Sequence, residues 1–218
     1  MRGRVKQDAP HSRLLNEAAK NSLATIGMFR KGRSRTWLDD RRWWISIVEF
    51  QPSSWSKGSY LNVGAMWLWC DKDCLSYDFG GRLKEFVSYK DEKQFAYEAS
   101  RLASIARDRV LEQRERFRSY DDVIRYLAGE KLPKSQWHMF HMGIAYGCAG
   151  DLESSQNMFA QLSRSKAESE WQKDLVQRAQ HLVGLTASLV EFRKYVEESI
   201  SKTRRSLKLP NIDSLGIN

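Results

Sequence analysis

The sequence predicts an α+β protein, with an N-terminal helix on an antiparallel sheet of about four strands and an all-helical C-terminal half. Three observations predict it. Between Phe29 and Phe79 apolar side chains recur every second residue in short runs broken by polar turns. From Asp91 onward they recur at helical spacing instead. Clusters of Gly, Pro, Ser and Asp punctuate the change, as at Gln51–Gly58 and Gly80-Gly81.

The elements follow in order. Leu14, Leu15, Ala18, Leu23 and Ile26 line one face of a helix over Arg13–Ile26, with Gly27 as its C-cap. Phe29–Trp37 reads as a strand and Asp39-Asp40 as a turn. Trp43–Phe50 is apolar on both faces, which predicts a central strand covered on both sides. In Tyr60–Trp69 the odd positions are uniformly apolar. The even ones begin with Tyr60, Asn62 and Gly64, a face that is open or closely packed. Cys70–Asp73 reads as a hairpin turn into a short strand, Cys74–Phe79, ended by Gly80-Gly81. After a transitional stretch, Arg82–Lys90, one long helix runs from about Asp91 to Phe117. Ser119 and Asp122 form a capping box for a short helix that stops near Gly129. Lys131-Leu132-Pro133 breaks the chain. Helices over Ser135–Ala149 and Leu152–Ser163 follow, joined at Gly150-Asp151. Trp171, Leu175, Leu182, Leu189, Phe192 and Val196 then trace a long helix or a broken pair, with Gly184 as a kink. The expected division is 1–90, helix plus sheet, and 91–218, helical, the two able to pack as one domain.

The chain of 218 residues is 41% hydrophobic and 29% charged, an ordinary globular balance. No apolar run approaches the ~18 residues of a membrane span, so no membrane association is expected. Met1–Pro10 is basic and polar with no apolar segment behind it, unlike a secretory leader. Three cysteines, Cys70, Cys74 and Cys148, suit a reducing cytoplasm better than a disulfide scaffold. The net charge of +9 is concentrated: residues 1–42 hold eleven Lys/Arg against four Asp/Glu, a net of +7.

Residues 139–167 carry Met142, Gly143, Tyr146, Gly150-Asp151, Ser155 and Phe159 at spacings that resemble a single tetratricopeptide repeat. Met139 stands where that family often has Trp, and Ala167 where it often has Pro. No second copy follows, since Gln177 replaces the first helix's Gly. The resemblance implies a helical hairpin that braces the fold rather than a peptide-binding groove, which takes about three repeats.

Residues 13–70 resemble a bacterial domain-of-unknown-function family. The likeness rests on Ile26-Gly27-Met28-Phe29-Arg30-Lys31-Gly32, Trp37, Phe50-Gln51-Pro52-Ser53 and Leu61-Asn62-Val63-Gly64. Met28 interrupts the family's Gly-Phe adjacency. The likeness implies a helix and sheet and transfers no activity.

Three sets of residues could carry chemistry. The first is Gln51, Ser53, Trp55, Lys57, Tyr60 and Asn62, hydrogen-bonding groups with two aromatics on and beside the Gln51–Tyr60 loop. An exposed Trp55 there would anchor a partner, although eight tryptophans make burial against the sheet the plainer expectation. The second is Arg30, Lys31, Arg33, Arg35, Arg41 and Arg42, which could meet phosphates or simply guard a strand edge. The third is Cys70 and Cys74 with His138 and His141, residue types that zinc takes, at spacings that do not bring them together by themselves. Small apolar fillers, for the thiols, and an exposed or interfacial helix side, for the imidazoles, are the plainer expectation. Asp71, Asp73 and Asp78 read as turn residues. No nucleophile elbow, zinc helix or phosphate loop appears, and no cofactor is implied. The residues favour a non-enzymatic binding or accessory protein, with protein preferred to nucleic acid as partner. An enzyme built on the acidic turn or the Cys/His groups is the remaining alternative.

Overall fold

The computed structural model describes residues 9–129 and 135–215, without the side chains of residues 84 and 85. The Lys131–Pro133 break falls outside them. The chain divides into two compact units, a sheet unit of residues 9–67 and 74–114 and a helical unit of residues 68–73 and 115–215. The long helix expected after residue 90 thus belongs mostly with the sheet.

In the sheet unit, α1 (Pro10–Leu23) begins on a proline, whose fixed φ suits the first helical turn, and runs through a 3-10 turn to Gly27. Five antiparallel strands follow: β1 (Phe29–Arg30), β2 (Thr36–Asp40), β3 (Trp44–Gln51), β4 (Gly58–Trp67) and β5 (Phe79–Ser88). They lie side by side in sequence order, a simple meander. The predicted strand Phe29–Trp37 is a hairpin, because Lys31–Arg35 turns back and Lys31 N–H bonds to Thr36 C=O at 2.9 Å. The turn expected at Asp39-Asp40 falls just after it. Asp40 Oδ1 accepts the Arg42 backbone N–H there, and Arg42 takes a positive φ of 71°.

The largest correction concerns the last strand. Cys74–Asp78 is not a strand, and Gly80-Gly81 open β5 rather than end a strand before it. Gly80 has φ 75°, and a Cβ on it would sit 2.5 Å from Val63 O and 2.9 Å from Gly64 Cα. The glycines are required because two backbones approach closely at the Gly64–Gly80 pair.

The register sets the two faces of the sheet. Trp37, Val48, Phe50, Leu61 and Val63 share one face and pack against Leu15, Ala19 and Leu23 of α1. The same face meets Phe95, Ala99, Leu102, Ala106 and Val110 of α2 (Glu92–Arg116). Full burial of each large side chain contributes ~1.5–3 kcal/mol. Arg114, near the end of α2, donates two hydrogen bonds to the buried Asp39 carboxylate, at 2.8 and 2.9 Å, and a third to Ile26 C=O. One guanidinium therefore ties α2, β2 and the exit of α1.

The helical unit holds α3 (Tyr120–Leu127), α4 (Gln136–Ala149), α5 (Leu152–Ser163), α6 (Glu170–Leu185) and α7 (Leu189–Leu207). The capping box is present at α3: Ser119 Oγ accepts from Asp122 N–H, and the Asp122 carboxylate accepts from Ser119 N–H. Helices α4 and α5 turn at Gly150-Asp151, where the Asp151 carboxylate accepts from Ser154 N–H at 3.0 Å. A Cβ at Gly143 would meet the Phe159 ring at 2.6 Å, and Ser155 O–H donates to Gly143 C=O at 2.7 Å. The hairpin is thus closed by a missing side chain, a buried hydroxyl and an aromatic ring. The last segment is a broken pair, α6 and α7, and Gly184 lies in the final turn of α6 rather than at a kink. Trp171 is not a core position as its spacing suggests. It is half exposed and stacks on Trp137, with centroids 6.1 Å apart and planes at 8°. The Lys72 ammonium stands 4.8 Å from the Trp137 ring centroid.

Candidate functional site

The connections of the meander alternate between the two ends of the sheet. The β1–β2 turn (residues 31–35) and the β3–β4 loop (residues 52–57) emerge at the same end, because β2 begins where β3 finishes, with Thr36 opposite Glu49. Phe50 N–H bonds to Arg35 C=O at 3.1 Å, joining the roots of the two connections. The β5–α2 junction arrives there too, with Tyr89 N–H on Lys57 C=O at 2.9 Å. So does the start of α1, where Arg35 donates to Ser12 Oγ at 2.6 Å.

Trp55 stands at this end, 95% exposed. The expectation that it folds back onto the sheet is overturned. Five other tryptophans, Trp37, Trp43, Trp44, Trp67 and Trp69, fill the buried positions. The loop that carries Trp55 is held at its base. Ser53 Oγ accepts Trp55 N–H at 3.1 Å, and the buried Ser59 hydroxyl contacts the carbonyls of Gln51 and Tyr60 at 3.4 and 2.9 Å.

The basic residues divide by position. Lys31, Arg33 and Arg35 in one connection and Lys57 in the other give four cations, and neither connection contains an acid. Arg30 is spent on its own hairpin, donating to the carbonyls of Ser34 and Arg33. Arg41 and Arg42 lie at the opposite end of β2, removed by roughly 15 Å at ~3.3 Å per residue. The six basic residues therefore do not form one surface. His11 senses the two nearer connections together. Burial first, then the Arg35 and Lys57 cations, hold its pKa below the ordinary imidazole value.

Beside this end, on the sheet face opposite the helices, Glu49, Asn62 and Arg82 form a cross-strand row. Asn62, nearly buried, donates from Nδ2 to Glu49 Oε2 at 2.8 Å and to Gln51 Oε1 at 3.0 Å. Arg82 donates to Gln51 Oε1 at 2.7 Å, and its guanidinium lies 4.3 Å from the Tyr60 ring centroid. Tyr60 in turn packs on Phe86, centroids 5.0 Å apart. Tyr77 lies over Gly64, where a Cβ would meet its ring at 2.4 Å. Burial, and behind it the Glu49 carboxylate, push the Tyr77 phenol up to about 12. The even face of β4 is thus half-buried at Tyr60, between Arg82 and Phe86, and closely packed at Gly64, the second of the two alternatives its sequence left. Gln51 and Asn62 spend hydrogen bonds on each other and on Arg82, so they brace the base of the Trp55 loop.

Glu49, Arg82, Tyr77 and Phe86 were not found from the sequence. Arg82 and Phe86 sat in a stretch without an assigned period, and only the extension of β5 past Gly81 aligns them with Asn62 and Tyr60. Glu49 opposite Asn62 was the available signal, once the β3–β4 register is fixed.

The thiol and imidazole candidates separate. Cys74 is exposed in the sheet unit, while Cys70, His138 and His141 belong to the helical unit. Cys70 Sγ and His141 Nδ1 do meet, at 3.8 Å, both buried. Yet Trp69 Nε1–H donates to the same Nδ1 at 3.0 Å, which engages that lone pair and leaves the ring proton on Nε2. Trp137 stacks on the His141 ring, 5.8 Å between centroids. His141 is therefore a core residue rather than one of an exposed pair, and His138 is partly buried, its N–H on the Ser135 cap. Among the described residues no group of three or more His, Cys, Asp or Glu converges as for a metal ion. None of their helices is long and apolar enough to cross a membrane. Comparison of the chain with family models, with curated proteins and with solved structures returns no match in any of the three.

Proposed function

We propose that this chain is a non-enzymatic binding protein whose loop end engages an acidic surface of a protein partner, with Trp55 as the anchor. The observation that carries the reading is a tryptophan 95% exposed on a loop fixed at both roots, beside four cations and no acid in its two connections. Burial of such a ring by a partner is a strong source of binding energy, and flanking cations select an acidic surface and speed its approach. The likeness of residues 139–167 to one tetratricopeptide repeat fits a bracing role, since Gly143, Ser155 and Phe159 are consumed in closing the hairpin. Three cysteines outside any disulfide, two of them buried, suit a cytoplasmic setting.

The test is capture of partners by the full chain and its variants. Trp55→Ala should release partners that Arg41→Glu, at the opposite end of the sheet, retains. Identical partner sets for both variants would remove the loop from the reading.

A second reading, favoured by the same meeting of a ring with Arg and Lys, is binding of single-stranded nucleic acid, stacking on Trp55 with phosphates on Lys31, Arg33, Arg35 and Lys57. Its affinity should then fall steeply with salt as counterions are released. An oligonucleotide that does not bind at about 50 mM salt, or binds with a flat salt dependence, excludes it.

A further inference from the structure

We propose that the sheet face opposite the helices binds an uncharged sugar ring over the row formed by Glu49, Asn62 and Arg82. The row crosses β3, β4 and β5 in register, and every residue involved belongs to the sheet unit. Asn62 stands between the two charges and holds both. Its Nδ2 donates to Glu49 Oε2 at 2.8 Å, and its Oδ1 accepts from Arg82 Nε at 3.4 Å. Among the described residues neither charge forms an ion pair, with the other or elsewhere. A carboxylate and a guanidinium are therefore kept apart by an amide.

Each side chain around the row keeps one hydrogen-bonding atom for a ligand. Glu49 Oε1, Gln51 Nε2, Arg82 Nη1 and the Tyr77 hydroxyl bond to no described residue. The first two are not sealed from solvent, and Arg82 and Tyr77 are exposed. Glu49 offers an acceptor, Gln51 and Arg82 offer donors, and the Tyr77 hydroxyl offers both. Rings stand at both ends of the row. Tyr60 and Gly64 flank Asn62 on the same face of β4, separated by roughly 13 Å at ~3.3 Å per residue. The Tyr77 ring lies on Gly64, and Tyr60 carries Arg82 on its face with Phe86 beside it. The trough between the two tyrosines has the polar row as its floor.

The chemistry of the row selects the ligand. Glu49 opposes an anion such as a phosphate and Arg82 opposes a cation, so the bound group is uncharged. Donors and acceptors are mixed across the row, and a hydroxyl satisfies either kind. Burial first, then Glu49, push the Tyr77 phenol up to about 12, so it remains a donor through neutral pH. Its ring, held against Gly64 on one side and 38% exposed in all, offers an apolar surface to the C–H side of a sugar. Convergent polar groups beside a titratable group shifted by burial and a named charge are the mark of a ligand site.

Trp55 takes no part, so the site stands or falls separately from the partner surface of the loop. The test is an NMR titration of the full chain with glucose, galactose, mannose and N-acetylglucosamine in turn. Sorbitol, which has hydroxyls without a ring, and a phosphorylated sugar are the comparison ligands. At least one sugar should shift the amide signals of Glu49, Gln51, Asn62 and Arg82, with a Kd of about 1 mM. Sorbitol and the phosphorylated sugar should bind several-fold more weakly. Glu49→Gln should weaken the sugar by about tenfold and Tyr77→Phe by about fivefold, whereas Trp55→Ala should leave it unchanged. Circular dichroism verifies that each variant is folded. Should Glu49→Gln unfold the chain, Tyr77→Phe decides, since that hydroxyl bonds to no described residue. Absence of shifts with every sugar, or shifts confined to other residues, overturns the proposal. So does affinity indifferent to Tyr77→Phe and Glu49→Gln, or a comparison ligand that binds as tightly as the best sugar.

Discussion

The α4–α5 hairpin and the loop end of the sheet are opposites in how their residues are used. In the hairpin, Gly143, Ser155 and Phe159 are buried against one another, each fixed by the shape of the next. At the loop end, Trp55 stands exposed, while Gln51, Ser59 and Asn62 beneath it carry the hydrogen bonds. The hairpin spends its distinctive residues on folding. The loop end spends ordinary ones on folding and leaves its distinctive residue outside. A single distinctive motif is therefore a poor guide to where this molecule meets others.

The comparison breaks most visibly through stability. Phe159→Ala should cost about 3–5 kcal/mol, because it removes a buried ring and leaves a cavity beside a glycine that cannot fill it. Denaturant unfolding measures this. A loss below about 1 kcal/mol would mean that the hairpin is loosely packed and the contrast false.

Asp39→Ala is next, at about 3 kcal/mol, since it strands the Arg114 guanidinium without the carboxylate it grips with two bonds. This prediction sharpens the comparison inside the sheet unit. A polar pair at the far end of β2 should matter to the fold, where the exposed Arg33 at the near end should not. Arg33→Ala, as control, should stay within about 0.5 kcal/mol.

Trp55→Ala reverses the pattern. Its effect on stability should stay within about 0.5 kcal/mol, and its effect on partner affinity should reach about 2 kcal/mol, near thirtyfold. Should the variant instead lower the unfolding midpoint substantially, Trp55 supports the fold and both regions are of one kind.

The same contrast explains what the sequence disclosed. The helical boundaries at Leu152–Ser163 and near Glu92–Arg116 were legible because apolar spacing and caps are local signals. Strand β5 was not, because Gly80-Gly81 carries the usual mark of an ending, and the close approach to Gly64 that requires glycine there is a long-range fact. That one error hid Arg82 and Phe86. Trp55 itself was found, but its exposure was not, since burial depends on whether the core has room and five other tryptophans had taken it. The split of the basic residues between two sheet ends needed the alternation of connections, which pairing alone determines.

The smallest expected effect tests whether the two connections share an electrostatic neighbourhood. Burial, with Arg35 from one connection and Lys57 from the other, disfavours the charged form of His11. In the unfolded chain the imidazole returns to its ordinary value of 6.5 and takes up a proton that the folded chain resists. This contribution to stability is complete above that value and is lost as the pH falls through it. The unfolding midpoint of the wild type should therefore drop more than that of His11→Gln between about pH 7.5 and about pH 5.5. Lys57→Gln should raise the His11 titration midpoint observed by NMR, since it removes one of the opposing charges. An unmoved midpoint would show that Lys57 does not reach His11. The loop end would then be two adjacent connections rather than one charged surface, and the case for an acidic partner would rest on residues 31–35 alone.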